Sequence, residues 1–486
     1  MPADVISTAS GPALRPTRLE GRERAALVVL LTASFTLAVD FSILNVALPK
    51  IGRDVGIGTD RLQWIATLYA LCAAGFTLLF GRVSDLIGRK RLFLIGMTLL
   101  GVSSLCGGLA VDPLMLFAAR VAQGTATAMV TPAALSLLTT SFPEGPARDR
   151  ALGLNGALMA AGFTTGAVLG GVLTDVVSWR WAFFINVAVA ASVLSVAPAV
   201  LGESRADHRP KLDLPGALTA TLGLVGIVYG ATAAGQHGWS SPAVWYSFAV
   251  AAAALAAFWG LERKTSQPLV SLEVLRRRNV AWGNIAGLVA FATETSLVFP
   301  LTLYLQDVLG LSPAAAGLSF GVLGVGTVLG GLLAARFIAR TDAKKAIVAG
   351  FVVQAATTIP LAFLGNDKSW IVPLLLLTFL GGVANLVAIV GYVVTATSGL
   401  PNHQQGLATG LVTMSQQVGI ALGTPVLSAI IVSQASDGLL PGIQASILTD
   451  GALCLAASGL IAAVLRLPKP GIAAQTLSGT EGGTGS

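Results

Sequence analysis

Three ionisable residues stand inside apolar runs of this sequence that are long enough to cross a bilayer. Asp40 lies in FTLAVDFSILNVALPK, Glu294 lies in FATETSL, and Arg120 lies in LFAARVAQGTATA. An ionised side chain at the middle of a bilayer costs at least about 2.5–3.5 kcal/mol, and such residues usually face a cavity or serve ions, protons or substrates. These three residues are therefore the candidates for proton coupling or substrate binding.

Each of the two acids also has a structural explanation. Either carboxylate could pair with Arg120, the one basic residue deep in a span, or could cap a polar helix contact. A carboxylate in a low-dielectric cavity instead exchanges protons near neutrality, because desolvation disfavours the charged form. If a cationic substrate and a proton compete for one such acid, occupancy by either can permit rocking between inward-facing and outward-facing states.

The elements that must position these residues are membrane-spanning helices. The chain has 486 residues, of which 54% are hydrophobic and only 11% are charged, whereas a soluble domain carries roughly 25% charged residues. A helical span needs about 20 mostly apolar residues, and we predict fourteen of them. They cover approximately residues 25–49, 62–80, 92–111, 114–139, 150–175, 179–201, 214–234, 242–261, 280–305, 314–335, 346–364, 370–398, 406–433 and 445–465.

The distribution of lysine and arginine agrees with this count and orients the chain. With both termini in the cytoplasm, 24 of the 30 basic residues fall in cytoplasmic segments, and only five fall outside. Cytoplasmic loops of membrane proteins hold an excess of basic residues. We therefore predict a multi-pass protein of the cell membrane with cytoplasmic N and C termini. The formal net charge of +7 then requires no nucleic-acid partner.

The sequence lacks the common motifs of enzymes and metal sites. GVGTVLGG near Gly324 resembles a dinucleotide-binding loop, but it lies within an apolar span with no strand before it. A Walker A loop, an H-E-x-x-H motif and a G-x-S-x-G motif are all absent. Three histidines scattered over loops and an odd number of cysteines do not form a metal site or a disulfide framework. We expect no enzymatic activity, no metal and no cofactor.

The segment GRVSDLIGRKRL, between the second and third spans, carries a family signature. Its pattern, G-x-x-x-D-x-x-G-R-[KR], resembles the cytoplasmic motif of the major facilitator superfamily. The matching residues are Gly81, Asp85, Gly88, Arg89 and Lys90. Glycines permit left-handed dihedrals and close helix approach, and basic residues bind anionic head groups. Because the segment lies away from the middle of the membrane, we expect it to govern conformational switching and not substrate binding.

Further motifs resemble the fourteen-span drug:proton antiporters of the same superfamily. They are VDFSILNVALP, QWIATLYAL, LFAARVAQGTATA, WRWAFFINV, LYLQDVLGLSPAAAG and GLATGLVTMSQQVGIALG, and together they cover nearly the whole chain. The resemblance implies that an acid at the position of Asp40 takes part in proton coupling or cation recognition. The polar motif residues that it offers for a substrate cavity are Asn45, Tyr69, Gln123, Tyr304 and Gln306.

The resemblance also implies an all-α fold of two six-helix bundles joined by two inserted helices. The predicted divisions are a cytoplasmic tail at 1–24, a bundle at 25–201, the inserted pair with its linkers at 202–279, a second bundle at 280–467, and a tail at 468–486. The last segment is rich in glycine, serine and threonine, a composition typical of disorder.

The fifth span departs from the antiporter signature. Its sequence GFTTGAVLGG has Ala167 where the family usually has proline. Gly162, Gly166, Gly170 and Gly171 remain at a spacing typical of helix packing. The absent proline removes an expected kink and leaves alternatives to antiport open.

The leading prediction is a monomeric secondary transporter that exports lipophilic small molecules, including cationic drugs and antibiotics, in exchange for protons. A proton gradient supplies the energy, so no ATP site is needed. The small-molecule substrate, protons and the lipid bilayer are the expected partners. The alternatives are a major facilitator exporter of lipids or metabolites, a uniporter, or a membrane sensor or scaffold that transports nothing.

Overall fold

A computed structural model describes residues 21–58, 61–141, 146–203, 213–238, 240–265, 272–398, 402–434 and 438–465. Within these ranges the regular structure is helical and no strand occurs. The tail predicted at 468–486, and all but the last residues of the one predicted at 1–24, lie outside the described residues.

The described residues form sixteen α-helices. They are α1 (Gly21–Ile43), α2 (Leu48–Val55), α3 (Gln63–Ile87), α4 (Arg89–Gly108), α5 (Pro113–Ser141), α6 (Pro146–Val176), α7 (Trp181–Val200), α8 (Leu214–His237), α9 (Pro242–Glu262), α10 (Leu272–Leu275), α11 (Arg278–Leu303), α12 (Pro313–Arg340), α13 (Ala343–Thr358), α14 (Ile371–Thr397), α15 (Asn402–Ser433) and α16 (Leu439–Val464). A π-helical turn, Tyr304–Val308, follows α11, and a 3₁₀ segment, Ile359–Phe363, follows α13. A further short 3₁₀ segment, Lys368–Trp370, precedes α14.

Thirteen helical segments of the described chain are long and apolar enough to cross a bilayer, and each overlaps a predicted span. The remaining predicted span, 62–80, coincides with α3, a 25-residue helix that is not among the thirteen. The chain is thus a multi-pass helical membrane protein, and fourteen spans remain a prediction.

The first predicted span, 25–49, is too long at its C-terminal end. The helix α1 ends at Ile43, and a separate short helix, α2, begins at Leu48 with Pro49 in its first turn. Proline has a φ that suits the first turn of a helix and lacks the N–H that a helix interior requires, so it favours a new start over a continued helix.

The long helices pack as two bundles. In the first bundle α1 packs against α6 and α7, and α5 packs against α3 and α4. In the second bundle α11 packs against α14, α15 and α16, and α14 also packs against α12 and α13. The pair α8 and α9 pack against each other, and α8 also contacts α3 and α15, so this pair lies beside both bundles. This architecture confirms the predicted fold class.

The apolar cores show that the bundles meet more fully at one end than at the other. Around α2 a single core joins residues of both bundles, including Ile51 of α2 with Tyr304 and Phe320. At the opposite end Leu92 belongs to a core of the first bundle alone, and Ile347 belongs to a core of the second alone. The described part of the molecule is therefore closed at the α2 end.

Candidate functional site

Asp40 lies in a polar cluster inside the first bundle. Its Oδ2 is 3.7 Å from Nη1 of Arg120, and the exposed fractions of these side chains are only 1% and 0%. Its Oδ1 accepts hydrogen bonds from Nε2 of Gln123, at 3.2 Å, and from Nδ2 of Asn186. Three helices thus supply the cluster: α1 carries the acid, α5 carries Arg120 and Gln123, and α7 carries Asn186.

The other contacts of Arg120 stay within the same bundle. Its Nε donates to the backbone carbonyl of Ile65 at 2.8 Å, and its Nη1 donates to Oε1 of Gln123 at 2.9 Å. Its guanidinium carbon lies 4.3 Å from the centroid of the Tyr69 ring. A desolvated ion pair of this kind needs such supplementary hydrogen bonds, because each charge has lost its water. Asp40 is therefore an ion-paired carboxylate in this conformation.

A cavity of about 290 Å³ lies between the two bundles. Its wall is largely apolar, with a few hydroxyl, amide and carboxyl groups. A concave, mostly apolar pocket with a small number of polar groups is the usual form of a small-molecule site. The aromatic residues of the wall are Phe41, Tyr69, Phe163, Phe291 and Tyr392, and the larger polar ones are Glu294, Gln416 and Gln417.

Glu294 is the acidic residue among the described side chains of this cavity wall. It is half-buried, and within the described part of the chain its carboxylate makes no hydrogen bond and no ion pair. The same side chain also borders a smaller pocket that contains Gln354 and Asn385. Asp40 does not belong to the wall, although Phe41 does. The structure thus places one of the two predicted acids against the cavity and the other behind it.

Asp40 and Glu294 occupy corresponding positions in the two bundles. Each lies sixteen residues before a glycine with positive φ, Gly56 at 76° and Gly310 at 66°. After each of these glycines the next long helix begins, α3 or α12. An internal repeat of this kind is typical of secondary transporters. The equivalence shows that the same position is ion-paired in one bundle and faces the cavity in the other.

Tyr69 separates the ion pair from the cavity. Its ring lines the cavity wall, and the guanidinium of Arg120 lies over the same ring. Its hydroxyl is 2.8 Å from the hydroxyl of Thr127, and it donates to the carbonyl of Leu37 at 3.4 Å. These bonds hold the ring between the charged cluster and the space where a ligand would lie.

The other residues predicted for the cavity lie elsewhere in this conformation. Gln123 belongs to the Asp40 cluster. Nε2 of Gln306 donates to the carbonyl of Val46 at 2.6 Å, which links the second bundle to the first at the closed end. Asn45 is buried in the turn before α2, because α1 has already ended at Ile43.

Tyr304 also lies at the closed end. Its hydroxyl donates to the carbonyl of Gly365 at 2.7 Å, and its ring belongs to the core shared by the bundles. The cavity wall takes Phe291, Glu294 and Thr295 from α11, so this helix leaves the wall well before the π-helical turn that begins at Tyr304.

The motif at 81–90 attaches the α3–α4 turn to the end of α7. Gly88 has φ of 108°, a conformation that favours glycine. The backbone N–H of Lys90 donates to Oε1 of Glu203 at 3.3 Å, and its Nζ donates to the carbonyl of Pro198 at 2.7 Å. Arg89 is the first residue of α4, whereas the side chain of Asp85 lies outside the described residues. Gly81 lies in α3 opposite Pro132.

The four glycines of the fifth predicted span lie at helix contacts. A side chain on Gly162, Gly166 or Gly170 would collide with the backbone of α1. A side chain on Gly171 would collide with Pro313 and Gly317 of α12. The first three glycines therefore bring α6 close to α1, and the fourth brings the two bundles together.

Two buried polar residues were not among the candidates selected from the sequence. Asn186 lies in the motif WRWAFFINV and donates to Asp40. A polar amide side chain inside an apolar helix was the sequence feature that could have identified it. Asp450 was overlooked because it lies five residues into the predicted span 445–465. The helix α16 begins at Leu439, so Asp450 lies near its middle, with a side chain that is 0% exposed.

Comparison with known proteins gives consistent matches. The sequence profile of the Major Facilitator Superfamily matches residues 30–424 and 283–482. The cephamycin export protein CmcT of Amycolatopsis lactamdurans is 37% identical over 464 residues, which cover 93% of this chain and 94% of that protein. The puromycin resistance protein pur8 of Streptomyces alboniger is 37% identical over 409 residues, covering 83% of this chain and 81% of that protein.

A third relative and two solved structures extend the comparison. The lincomycin resistance protein of Streptomyces lincolnensis is 33% identical over 442 residues, covering 90% of this chain and 89% of that protein. The human organic anion transporter MFSD10 has a similar fold, with a TM-score of 0.60 at 18% identity over 91% of this chain and 100% of that one. A POT family peptide transporter has a TM-score of 0.67 at 13% identity over 91% and 98%.

Proposed function

Because this chain belongs to the major facilitator superfamily, we propose that it exports lipophilic small molecules of the drug and antibiotic type. The observation that carries the proposal is the cavity between the bundles, with its aromatic wall and the carboxyl group of Glu294. The named relatives export cephamycin or confer resistance to puromycin and lincomycin. Their similarity extends over 93%, 83% and 90% of this chain.

Lipophilic amines are the substrates that this wall would favour. Aromatic rings contribute apolar contact area and attract cations through their faces. Within the described residues Glu294 has no basic neighbour that neutralises it, so a substrate ammonium group would supply the missing partner. Asp40 would not bind the ammonium group, since Arg120 already lies beside its carboxylate.

Exchange for protons follows from competition at Glu294. A bound ammonium and a proton each neutralise the same carboxylate, so either occupant could permit the bundles to rock and neither would leave a bare charge in the membrane. One proton moving down one pH unit supplies about 1.4 kcal/mol, and 100 mV adds about 2.3 kcal/mol if charge moves. Export then needs no nucleotide and no other cofactor.

The conformation described above is the inward-facing state of this cycle if the termini are cytoplasmic. Among the described residues, the closed end carries α2 and two polar links between the bundles. These are the Gln306–Val46 hydrogen bond and the ion pair of Arg53 with Asp307, whose Nη1 and Oδ1 are 3.8 Å apart. Both links would break in the outward-facing state. We propose that the protein works in this way as a monomer in the plasma membrane.

Transport by purified protein in lipid vesicles tests the proposal. Puromycin is the amine probe, and the inside-out vesicles carry an imposed pH gradient. We expect concentrative uptake that collapses with the gradient and that Glu294→Gln abolishes. Asp112→Asn, an exposed helix-capping residue far from the cavity wall, should transport normally.

Other outcomes would identify the alternatives. Uptake that only equilibrates, with or without a pH gradient, would indicate a uniporter. Transport of lipids or metabolites without any drug transport would indicate an exporter of that class. A protein that binds puromycin and moves no solute would contradict the transport proposal itself.

A further inference from the structure

Asp450 is a buried acid that the mechanism above does not use. It lies near the middle of α16, its side chain is 0% exposed, and its Oδ2 has no hydrogen-bond partner among the described residues. Its Oδ1 contacts the hydroxyl of Ser296 on α11 at 3.3 Å. An unpaired ionised carboxylate in such a place is strongly disfavoured.

Among the described side chains, the elements that pack most against α16 bring no charge to neutralise Asp450. They are α11, α13, α15, the 3₁₀ segment Ile359–Phe363 and the π-helical turn. Of the basic residues on α13, Lys344 donates to the carbonyl of Ala462, about 18 Å further along α16. Lys345 pairs with Asp342 at 3.3 Å. Both lysines therefore act at the far end of α16.

The remaining ionisable residues of these elements have other positions. On α11, Arg278 is the first residue, and Glu294 faces the cavity. Asp307 of the π-helical turn pairs with Arg53. His403 lies near the start of α15, and its side chain is outside the described residues. On α16 itself the nearest ionisable group is the thiol of Cys454, one helical turn beyond Asp450.

The hydrogen-bond geometry of Ser296 indicates which protonation state Asp450 has. A serine hydroxyl has one hydrogen to donate and can also accept. The Ser296 oxygen is 2.6 Å from the carbonyl of Ala292 and 3.3 Å from Asp450. Since a backbone carbonyl can only accept, the shorter contact uses the serine hydrogen. A carboxylate at Asp450 would have to share that hydrogen across a 3.3 Å contact, whereas a protonated carboxyl group could donate to the serine oxygen and leave both contacts satisfied.

We propose that Asp450 is a second proton-binding site of this transporter and holds a proton in the present conformation. The proposal rests on the proton-coupled export proposed above. The site differs from Glu294 in its partner, a hydroxyl acceptor in the helix-packed interior of the second bundle, and in its distance from the cavity wall. Among the described residues no group of three or more acids, histidines or cysteines that could hold a metal ion includes Asp450, so we assign a proton to this site.

The helix α11 connects this site to the cavity. Glu294 and Ser296 are two residues apart, so they project about 200° apart around the helix, one to the cavity and the other to α16. A displacement of α11 on substrate binding would separate Ser296 from Asp450. If that displacement also admits water to Asp450, the O–H bond of the carboxyl group breaks, the proton passes to a water molecule, and water hydrates the carboxylate that remains.

Infrared spectroscopy of the purified full-length protein tests proton occupancy without any transport. The wild type at pH 7.5 should show the carbonyl stretch of a protonated carboxylic acid, and Asp450→Asn should lack it. Asp112→Asn, an exposed acid, should lose only carboxylate bands. Loss of carboxylate bands alone from Asp450→Asn would overturn the proposal.

A second variant keeps the test decisive if Asp450→Asn does not fold. Ser296→Ala retains the acid and removes its hydrogen-bond acceptor, so the carbonyl band should persist and move to higher frequency. A spectrum of Ser296→Ala identical to the wild type would contradict the assigned hydrogen bond.

Proton counting in vesicles tests the role of the site in transport. Asp450→Asn should exchange one proton fewer for each puromycin molecule than the wild type, with equilibrium puromycin binding within a few-fold. An unchanged ratio would refute a second site that takes part in transport. Absence of proton-coupled transport in the wild type would refute the proposed function instead, and the infrared result would distinguish the two failures.

Discussion

The Asp40 carboxylate accepts hydrogen bonds from Asn186 and Gln123 and lies 3.7 Å from the guanidinium of Arg120. Glu294, at the corresponding position of the second bundle, has no such partners among the described residues and borders the cavity. Removal of the charge should therefore have different effects at these two equivalent positions. One substitution would leave a buried cation without its partner, and the other would leave only an altered cavity wall.

Asp40→Asn should destabilise the protein. The change leaves the Arg120 guanidinium buried without a counter-charge, which costs about 3–5 kcal/mol in buried ion pairs. Thermal unfolding in detergent measures this as a lower midpoint. The double variant Asp40→Asn with Arg120→Gln should recover part of the loss, because removal of both charges leaves neither unpaired. A single variant as stable as the wild type, still able to concentrate substrate, would show that the ion pair contributes nothing.

Glu294→Gln should weaken binding of amines and leave stability nearly unchanged. A hydrogen bond to a charged group contributes about 1.5–3 kcal/mol, so puromycin affinity should fall about tenfold or more. Equilibrium binding to the purified variant measures the change. An uncharged lipophilic dye should bind the variant and the wild type equally well. Equal loss for the amine and the neutral dye would indicate a distorted cavity and not a missing charge.

At the scale of the helices, small residues set how closely α6 approaches its neighbours. Gly162, Gly166 and Gly170 lie along the face of α6 that contacts α1. Small residues let helix backbones approach closely, and the van der Waals packing that results helps to drive helix association in membranes, where lipid removes the hydrophobic driving force between helices. The position of Asp40 on α1 therefore depends on the glycine spacing of α6.

Gly170→Ala should destabilise the α1–α6 contact. The added methyl group would overlap the carbonyl of Ile43, and backbone on both sides cannot yield as a flexible side chain can. Overpacking typically costs about 1–3 kcal/mol, and the unfolding midpoint should fall accordingly. Gly260→Ala in α9 is the matched control, since a side chain there meets no atom within 4 Å. A midpoint lowered equally by both changes would exclude the packing explanation.

At the scale of the molecule, the bundles are held together at the α2 end. The helices α6 and α12 approach there through Gly171 and Gly317, and Gln306 donates to Val46 across the same boundary. At the other end each bundle has a core of its own, and a smaller core around Val280 and Leu411 also contacts Leu79 of α3. Alternating access requires these contacts to open, so their strength sets the balance between the two states.

Gly171→Val should shift this balance toward opening at the α2 end. The larger side chain would collide with Pro313 and Gly317 of α12 only while the end is closed. Labelling of Gln306→Cys by a membrane-impermeant thiol reagent measures the opening, in a background without Cys72, Cys106 and Cys454. We expect faster labelling in the Gly171→Val background, and Gly260→Val should have no effect. Unchanged labelling would show that this contact does not limit opening.

The orientation of the whole chain can be tested by reporter fusions. Arg22 donates to the carbonyl of Val200, and Lys90 donates to that of Pro198, so the start of α1, the α3–α4 turn and the end of α7 lie at one end of the molecule. Basic residues favour the cytoplasmic side. A reporter at Gly238 should therefore be external and one at Arg277 internal. The same side for both would refute the predicted topology.

The sequence by itself determined the features that depend on local composition. Length and apolarity are enough to locate spans, and thirteen helices of the described chain overlap predicted ones. Motif spacing was enough to indicate the family. Asp40, Glu294 and Arg120 could be selected as candidates because a charge within an apolar run is costly wherever it points.

Only the tertiary structure decided which way the side chains face. Lipid is as apolar as the interior of a bundle, so apolar residues surround each helix and their periodicity does not mark the inner face. The sequence therefore could not distinguish the acid paired with Arg120 from the acid at the cavity. It also offered Asn45, Gln123, Tyr304 and Gln306 for a wall on which, in this conformation, only Tyr69 of the five lies. Contacts between helices distant in the chain assign those roles, since pairing and cavity lining depend on what the opposite helix presents.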